Sequence, residues 1–180
     1  MIEGLRKLSE EVAVNYPGVE VYNLKLSKLH SDYYIQIELD NLNDPFGSVT
    51  VDICENFSKD FIQTLDERLT SDKIAFNLPM DLEVDNYTLE VSSAGAEREI
   101  RFPNDLERFK ELPLKIRFND SIKEKDQEII AKFVSVENDD YVFEEYFTKK
   151  QKKNFKLKTK ANLIKLKQDN IKKINLYLDI

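Results

Sequence analysis

The chain predicts an α+β protein in two parts. An N-terminal αββαβ domain, a three-stranded sheet with two helices, occupies residues 1–100, and a small closed β-barrel occupies residues 101–180. Three observations predict this. Helical and alternating periodicities fill the first part in the order helix, strand, strand, helix, strand. After Ser92-Ser93-Ala94-Gly95 only short strands separated by polar turns follow, the pattern of a small barrel. The charge also changes sign: residues 1–110 carry 11 Lys+Arg against 22 Asp+Glu (net −11), and residues 111–180 carry 16 against 12 (net +4). Halves of opposite charge suggest domains with different partners.

Ile2, Leu5, Leu8 and Val12 recur at spacings of three and four and predict an amphipathic helix over 2–14. Tyr16-Pro17-Gly18 stops it, because the residue before proline is pushed out of the helical region and Gly18 permits a turn. From Val19 to Leu26 apolar residues alternate, with a phase change near Asn23 that marks a bulge. Tyr33, Ile35, Ile37 and Leu39 alternate with polar partners in a second strand, and Ser27–Asp32 turns the two into a hairpin. Asn43-Asp44-Pro45 signals a loop within Asn41–Ser48. A second helix runs from about Thr50 to Arg68, with Cys54, Phe57, Phe61, Leu65 and Leu69 as its apolar stripe and Asp52 and Glu55 near its positive end. Residues 70–85, with Pro79, form a long irregular connection, and Tyr87, Leu89 and Val91 form a third strand. Both helices are expected on one face of that sheet.

In the second part, Pro103-Asn104-Asp105 opens one helical turn ending near Lys110. Strands follow at Leu114–Phe118, Ile130–Val136, Tyr141–Phe143, Phe155–Leu157, Ile164–Leu166 and Ile174–Ile180, with Lys149–Lys153 as a solvated hairpin tip.

Composition excludes several classes. With one cysteine, Cys54, the chain forms no internal disulfide and no cysteine cluster for a metal, as suits a reducing compartment. No apolar run spans a membrane, and the first residues are too acidic for a secretion signal, so a cytoplasmic protein with no membrane partner is expected. Catalysis has little support. His30 is the single histidine and falls in a predicted turn, where a surface residue is the plain reading. Cys54 lies on an apolar stripe and reads as a packed cysteine rather than a nucleophile. Asp139-Asp140 and Glu144-Glu145 resemble no cation loop, and four glycines form no phosphate cradle. No cofactor, metal or catalytic residue is expected.

The lysine-rich segment is the remaining signal. Between Lys149 and Lys173 stand 11 lysines and one acid, Asp169. Lys149, Lys150, Lys152 and Lys153 precede Lys156, Lys158 and Lys160, which would share one strand face, with Phe147 and Phe155 between the charges. Two readings stand: contact with RNA phosphates, which is salt-sensitive because counterions are released, or a solvated loop in a lysine-rich protein.

Residues 87–100, Tyr-Thr-Leu-Glu-Val-Ser-Ser-Ala-Gly-Ala-Glu-Arg-Glu-Ile, resemble the hallmark segment of the RimP family of ribosome maturation factors. That family's pattern runs Tyr-x-Leu-Glu-Val-Ser-Ser, then Pro-Gly, two variable or acidic positions, Arg, Pro and Leu. Leu89 through Ser93, Gly95 and Arg98 match; Ala94 and Glu99 stand where the family has proline, Glu97 where it has aspartate, and Ile100 where it has leucine. Pro17–Val21, Gly47–Glu55, Phe102–Phe109 and Lys165–Ile174 are similar to further family stretches. The resemblance implies an SH3-like barrel for the second part and no catalytic residues. It also implies binding to free small (30S) ribosomal subunits through 16S rRNA and a decoding-region ribosomal protein. A monomer is expected. The alternative is a general RNA-binding or adaptor protein of the same architecture.

The motif residues Glu90, Ser92, Ser93, Gly95 and Arg98 are candidates for fixing the angle between domains. Ser92 and Ser93 can bond turn backbone, Gly95 supplies a positive φ, and Arg98 either clamps Glu90 or Glu97 or reaches a phosphate. Candidate rRNA or ribosomal-protein contacts are Arg98, Arg101, Lys149, Lys150, Lys152, Lys153, Lys156, Lys158, Lys160, Lys172 and Lys173.

Overall fold

The computed structural model describes residues 2–71, 73–120, 125–149 and 162–179. The chain divides into two compact units, residues 1–95 and 96–180, so residues 96–100 belong to the second unit rather than the first. Ile100 is buried in the second core.

The first unit contains α1 (Ile2–Ala13), β1 (Val19–Leu29), β2 (Asp32–Asn41), α2 (Val51–Ser71) and β3 (Tyr87–Ser93). The apolar positions that predict α1 are the ones it buries, Leu5, Leu8 and Val12. Gly4 is also buried, and a Cβ there would sit 2.2 Å from the Phe76 carbonyl oxygen, so the loop approaches α1 more closely than any side chain permits. The expected bulge lies between Val21 and Asn23. The hairpin extends further than expected, pairing Leu29 with Asp32 and leaving His30-Ser31 as the turn. His30 there adopts φ 58°, a left-handed conformation that histidine tolerates better than most residues. Ser27, Lys28 and Leu29 continue the strand through backbone pairing, which no hydrophobic alternation betrays.

The sheet runs β1-β2-β3, antiparallel between β1 and β2 and parallel between β2 and β3. Parallel pairing needs a long crossover, which α2 and the segment after it supply. Contacts of α1 with β1, α2 with β3 and α1 with α2 place both helices on one face. There Phe57, Phe61, Leu65 and Leu69 of α2 meet Tyr33, Ile35, Ile37 and Leu39 of β2. Cys54 is only partly buried at the rim of this core. The Tyr16 hydroxyl donates to Asp60 (2.7 Å) and the Tyr87 hydroxyl to Asp66 (2.8 Å), tying the middle of α2 to the turn before β1 and its C-terminal half to β3. The irregular connection is more than a spacer: Leu78 (5% exposed) and Leu82 (0%) plug the core. Asp81 accepts from Tyr33 Oη at 2.6 Å and also pairs with Lys28.

The second unit is a five-stranded antiparallel sheet, consistent with a small barrel-like domain. Its strands are β4 (Leu114–Asp120), β5 (Lys125–Glu137), β6 (Asp140–Glu145), β7 (Leu163–Lys167) and β8 (Ile171–Leu176). Their order is β7-β6-β5-β4-β8. Asn138 and Asp139, both at positive φ, make the two-residue turn between β5 and β6. Phe109, Leu114, Ile116, Ala131, Phe143 and Ile174 fill the core. The expected final strand to Ile180 stops at Leu176. Asp179 turns aside to accept the Tyr146 hydroxyl (2.9 Å) and the Lys149 amide. The strand expected at Phe155–Leu157 and the hairpin tip beyond Lys149 lie outside the described residues.

Candidate nucleic-acid interface

The motif segment is anchored on either side of Gly95, in each case to its own unit. Upstream, Ser93 Oγ accepts from the Val49 amide (3.1 Å), the residue before the helix cap Thr50, and the Ala94 amide donates to the Leu39 carbonyl (2.8 Å). The hydroxyl of Ser93 thus holds the end of β3 to the start of α2. Glu90 is exposed and accepts from Gln36 Nε2 (3.0 Å), and Ser92 lies in register with Glu38. Gly95 has φ 80°, a conformation other residues disfavour. Downstream, the Ile100 amide donates to the Ile174 carbonyl and the Leu176 amide to the Arg98 carbonyl (2.9 Å each), so this stretch adds a short edge to β8.

Arg98 is 6% exposed, with its guanidinium 5.0 Å from the centre of the Phe109 ring. Arg101 forms a fork with Asp105, Nε to Oδ2 at 3.1 Å and Nη2 to Oδ1 at 3.3 Å, where the backbone turns toward Phe109. Lys172 pairs with Asp126 (2.6 Å) and Lys173 with Glu99 (3.1 Å). Lys149 is exposed beside Asp179. Exposed pairs of this kind contribute about 0–1 kcal/mol, so a phosphate can exchange for the carboxylate at little cost. Lys150, Lys152, Lys153, Lys156, Lys158 and Lys160 lie outside the described residues.

Two basic side chains escaped the sequence reading. Lys115 and Arg117 point outward from β4, and Arg117 is the cross-strand partner of Lys173. With Glu97, Glu128, Asn175 and Tyr177 they line an open groove of about 270 Å³. Their alternation with Leu114, Ile116 and Phe118 is visible in the sequence. Their meeting with Lys173 depends on a register between residues some sixty positions apart, which is not.

The remaining chemistry is structural. Burial raises the Cys54 thiol above its ordinary pKa, which leaves less thiolate. Burial, with Asp60 second, pushes Tyr16 up to about 12, and burial and Asp66 raise Tyr87 further. The hydrogen bond from Lys28 holds Asp81 down near 2. Among the described residues no group of three or more His, Cys, Asp or Glu side chains is placed to hold a metal ion. No helix among them is long and apolar enough to cross a membrane.

The family model described as "RimP N-terminal domain" matches residues 9–97, nearly all of the first unit with the start of the motif's second half. The chain is 36% identical over 177 residues to proteins named ribosome maturation factor RimP from Leptospira interrogans serovars copenhageni and Lai, covering 96% of this chain and 98% of each relative. A protein of the same name from Leptospira biflexa is 35% identical over 114 residues, 63% of this chain and 61% of the relative. With both units spanned end to end by the first two relatives, the chain belongs to the RimP family of ribosome maturation factors.

Proposed function

We propose that the protein promotes maturation of the small (30S) ribosomal subunit by docking on free subunits, touching 16S rRNA and a basic ribosomal protein near the decoding region. The family is non-enzymatic, and docking asks only for complementary surfaces.

The observation that carries this reading is the division of charge along the structural boundary. Residues 1–95 hold 7 Lys+Arg against 18 Asp+Glu, net −11, and residues 96–180 hold 20 against 16, net +4. An acidic unit favours a basic protein and a basic unit favours RNA phosphate, so the pair orients the factor on a mixed surface. Arg101, Lys149, Lys172, Lys173 and the lysines between 150 and 160 are the proposed contacts of the second unit. Ser93 and Gly95 act by shaping the chain on which the two units are strung. Arg98 serves as a packing residue against Phe109 in this reading, because a phosphate would have to uncover it first.

The reading is tested by deleting the gene and measuring precursor 16S rRNA and the ratio of free subunits. Accumulated precursor and excess free subunits are expected, reversed by the intact chain. Normal processing refutes a role in maturation and favours a general RNA-binding or adaptor protein.

A further inference from the structure

We propose that the groove over β4, β5 and β8 seats the phosphodiester backbone of a single RNA strand, with Lys115, Arg117 and Lys173 as its phosphate-binding side chains. The proposal rests on the rRNA-contact reading above and gives that contact a location.

The strand register is the first support. Arg117 and Lys173 are direct cross-strand partners, and like charges so placed destabilise a sheet. Glu99 offsets Lys173 at 3.1 Å, and Arg117 is the cation served least. Its carboxylate, Glu128, sits closer to Lys115 (3.2 Å) and stands 3.9 Å from Arg117, beyond hydrogen-bond range. The Arg117 side chain stands 58% exposed at the groove, and its guanidinium is a planar fork of five donors suited to bidentate contact with phosphate.

A bulge is the second. The register of β8 shifts between the partners of Arg117 and Phe118, leaving Lys172 as the extra residue between Lys173 and Ile171. Bulges re-aim side chains and recur beside functional sites.

Groove shape decides between ligand classes. Lys115 and Arg117, two residues apart on one strand, stand about 6.8 Å from each other, so cations follow a line as successive phosphates do. Tyr177 and Asn175 on the wall add a ring on which a base can stack and an amide that can bond its edge. An acidic peptide has no use for the ring. Three cations against Glu97 and Glu128 leave the lining at a net charge of only +1. Binding is therefore modest and salt-dependent, and removing a carboxylate strengthens it.

The test is fluorescence anisotropy of the full chain with a short labelled oligouridylate across a salt series. Arg117→Ala and Lys115→Ala are each expected to weaken binding several-fold and to reduce the slope of log affinity against log salt by about 0.7. Arg117→Lys should fall between, keeping charge but losing the fork. Glu128→Gln should bind tighter than the parent, an effect no merely structural role produces, with a melting curve confirming that each variant is folded at the assay temperature. Equal affinity in Arg117→Ala, weaker binding in Glu128→Gln, or no binding by the parent at low salt overturns the proposal. So does preference for a polyglutamate peptide of similar length. Sedimentation with free small subunits separates the two readings. If the parent protein binds subunits and Arg117→Ala binds them equally, the groove is refuted and the maturation role stands; if the parent binds none, the docking reading itself fails.

Discussion

Replacing Ser93 with alanine tests why the family segment carries a serine at the end of β3. The Ser93 hydroxyl oxygen accepts the Val49 amide proton at 3.1 Å, and Val49 is buried. Alanine leaves that N–H without its partner in a place water reaches poorly. An unsatisfied buried donor costs about 1–3 kcal/mol, and the half-buried position of Ser93 puts the expected loss in the lower half of that range, about 1.5 kcal/mol. For a unit of residues 1–95 this corresponds to a fall in melting temperature of about 7 °C. Thermal denaturation followed by circular dichroism measures the fall. Hydrogen exchange at the Val49 amide, read by NMR, shows whether it is local. The exposed Thr88→Ala on the same strand should change the melt by less than about 0.5 kcal/mol. A Ser93→Ala protein that melts like the parent, with the Val49 amide equally protected, would refute the assignment of Ser93 as the tie between β3 and α2.

Other consequences follow from the same geometry. Gly4→Ala drives a Cβ into the Phe76 carbonyl at 2.2 Å and should destabilise the first unit by about 1–3 kcal/mol in urea unfolding; a neutral result would mean that the loop over α1 moves freely. Phe57→Ala empties a fully buried ring position and should cost about 3–5 kcal/mol in the same assay. Tyr16 has its pKa raised to about 12 from an ordinary value near 10. Its contribution is whole below pH 10 and lost as pH rises to 12. Stability should therefore fall across that window, with a shallower fall in Tyr16→Phe, and an identical pH profile in the variant would contradict it. Asp81, held near 2, contributes above its ordinary carboxylate range and loses that contribution as pH falls toward 2. Lys28→Met should remove part of that acid sensitivity in urea midpoints measured over the same range.

Periodicity made much of the first unit legible. Leu5, Leu8 and Val12, then Phe57, Phe61, Leu65 and Leu69, are core residues in the structure as in the pattern, because an amphipathic helix over a sheet leaves no other place for them. The bulge near Asn23 showed as a phase slip for the same reason. Leu78 and Leu82 stayed hidden: isolated leucines in a polar segment carry no period, and only the completed fold shows the gap they fill. The edge formed by residues 98–100 on β8 was equally invisible, since three residues held by backbone bonds leave no compositional trace. The candidate contacts divide in the same way. Lysine density is a local property and stands out in the sequence; the opposition of Arg117 and Lys173 comes from strand register and does not.

Sedimentation of the full chain with free small subunits and with intact ribosomes, over a range of salt, bears most directly on docking as the mode of action. The protein should travel with free small subunits and be released as salt rises, with far less on intact ribosomes. Equal recovery on both particles, or on neither, would contradict it.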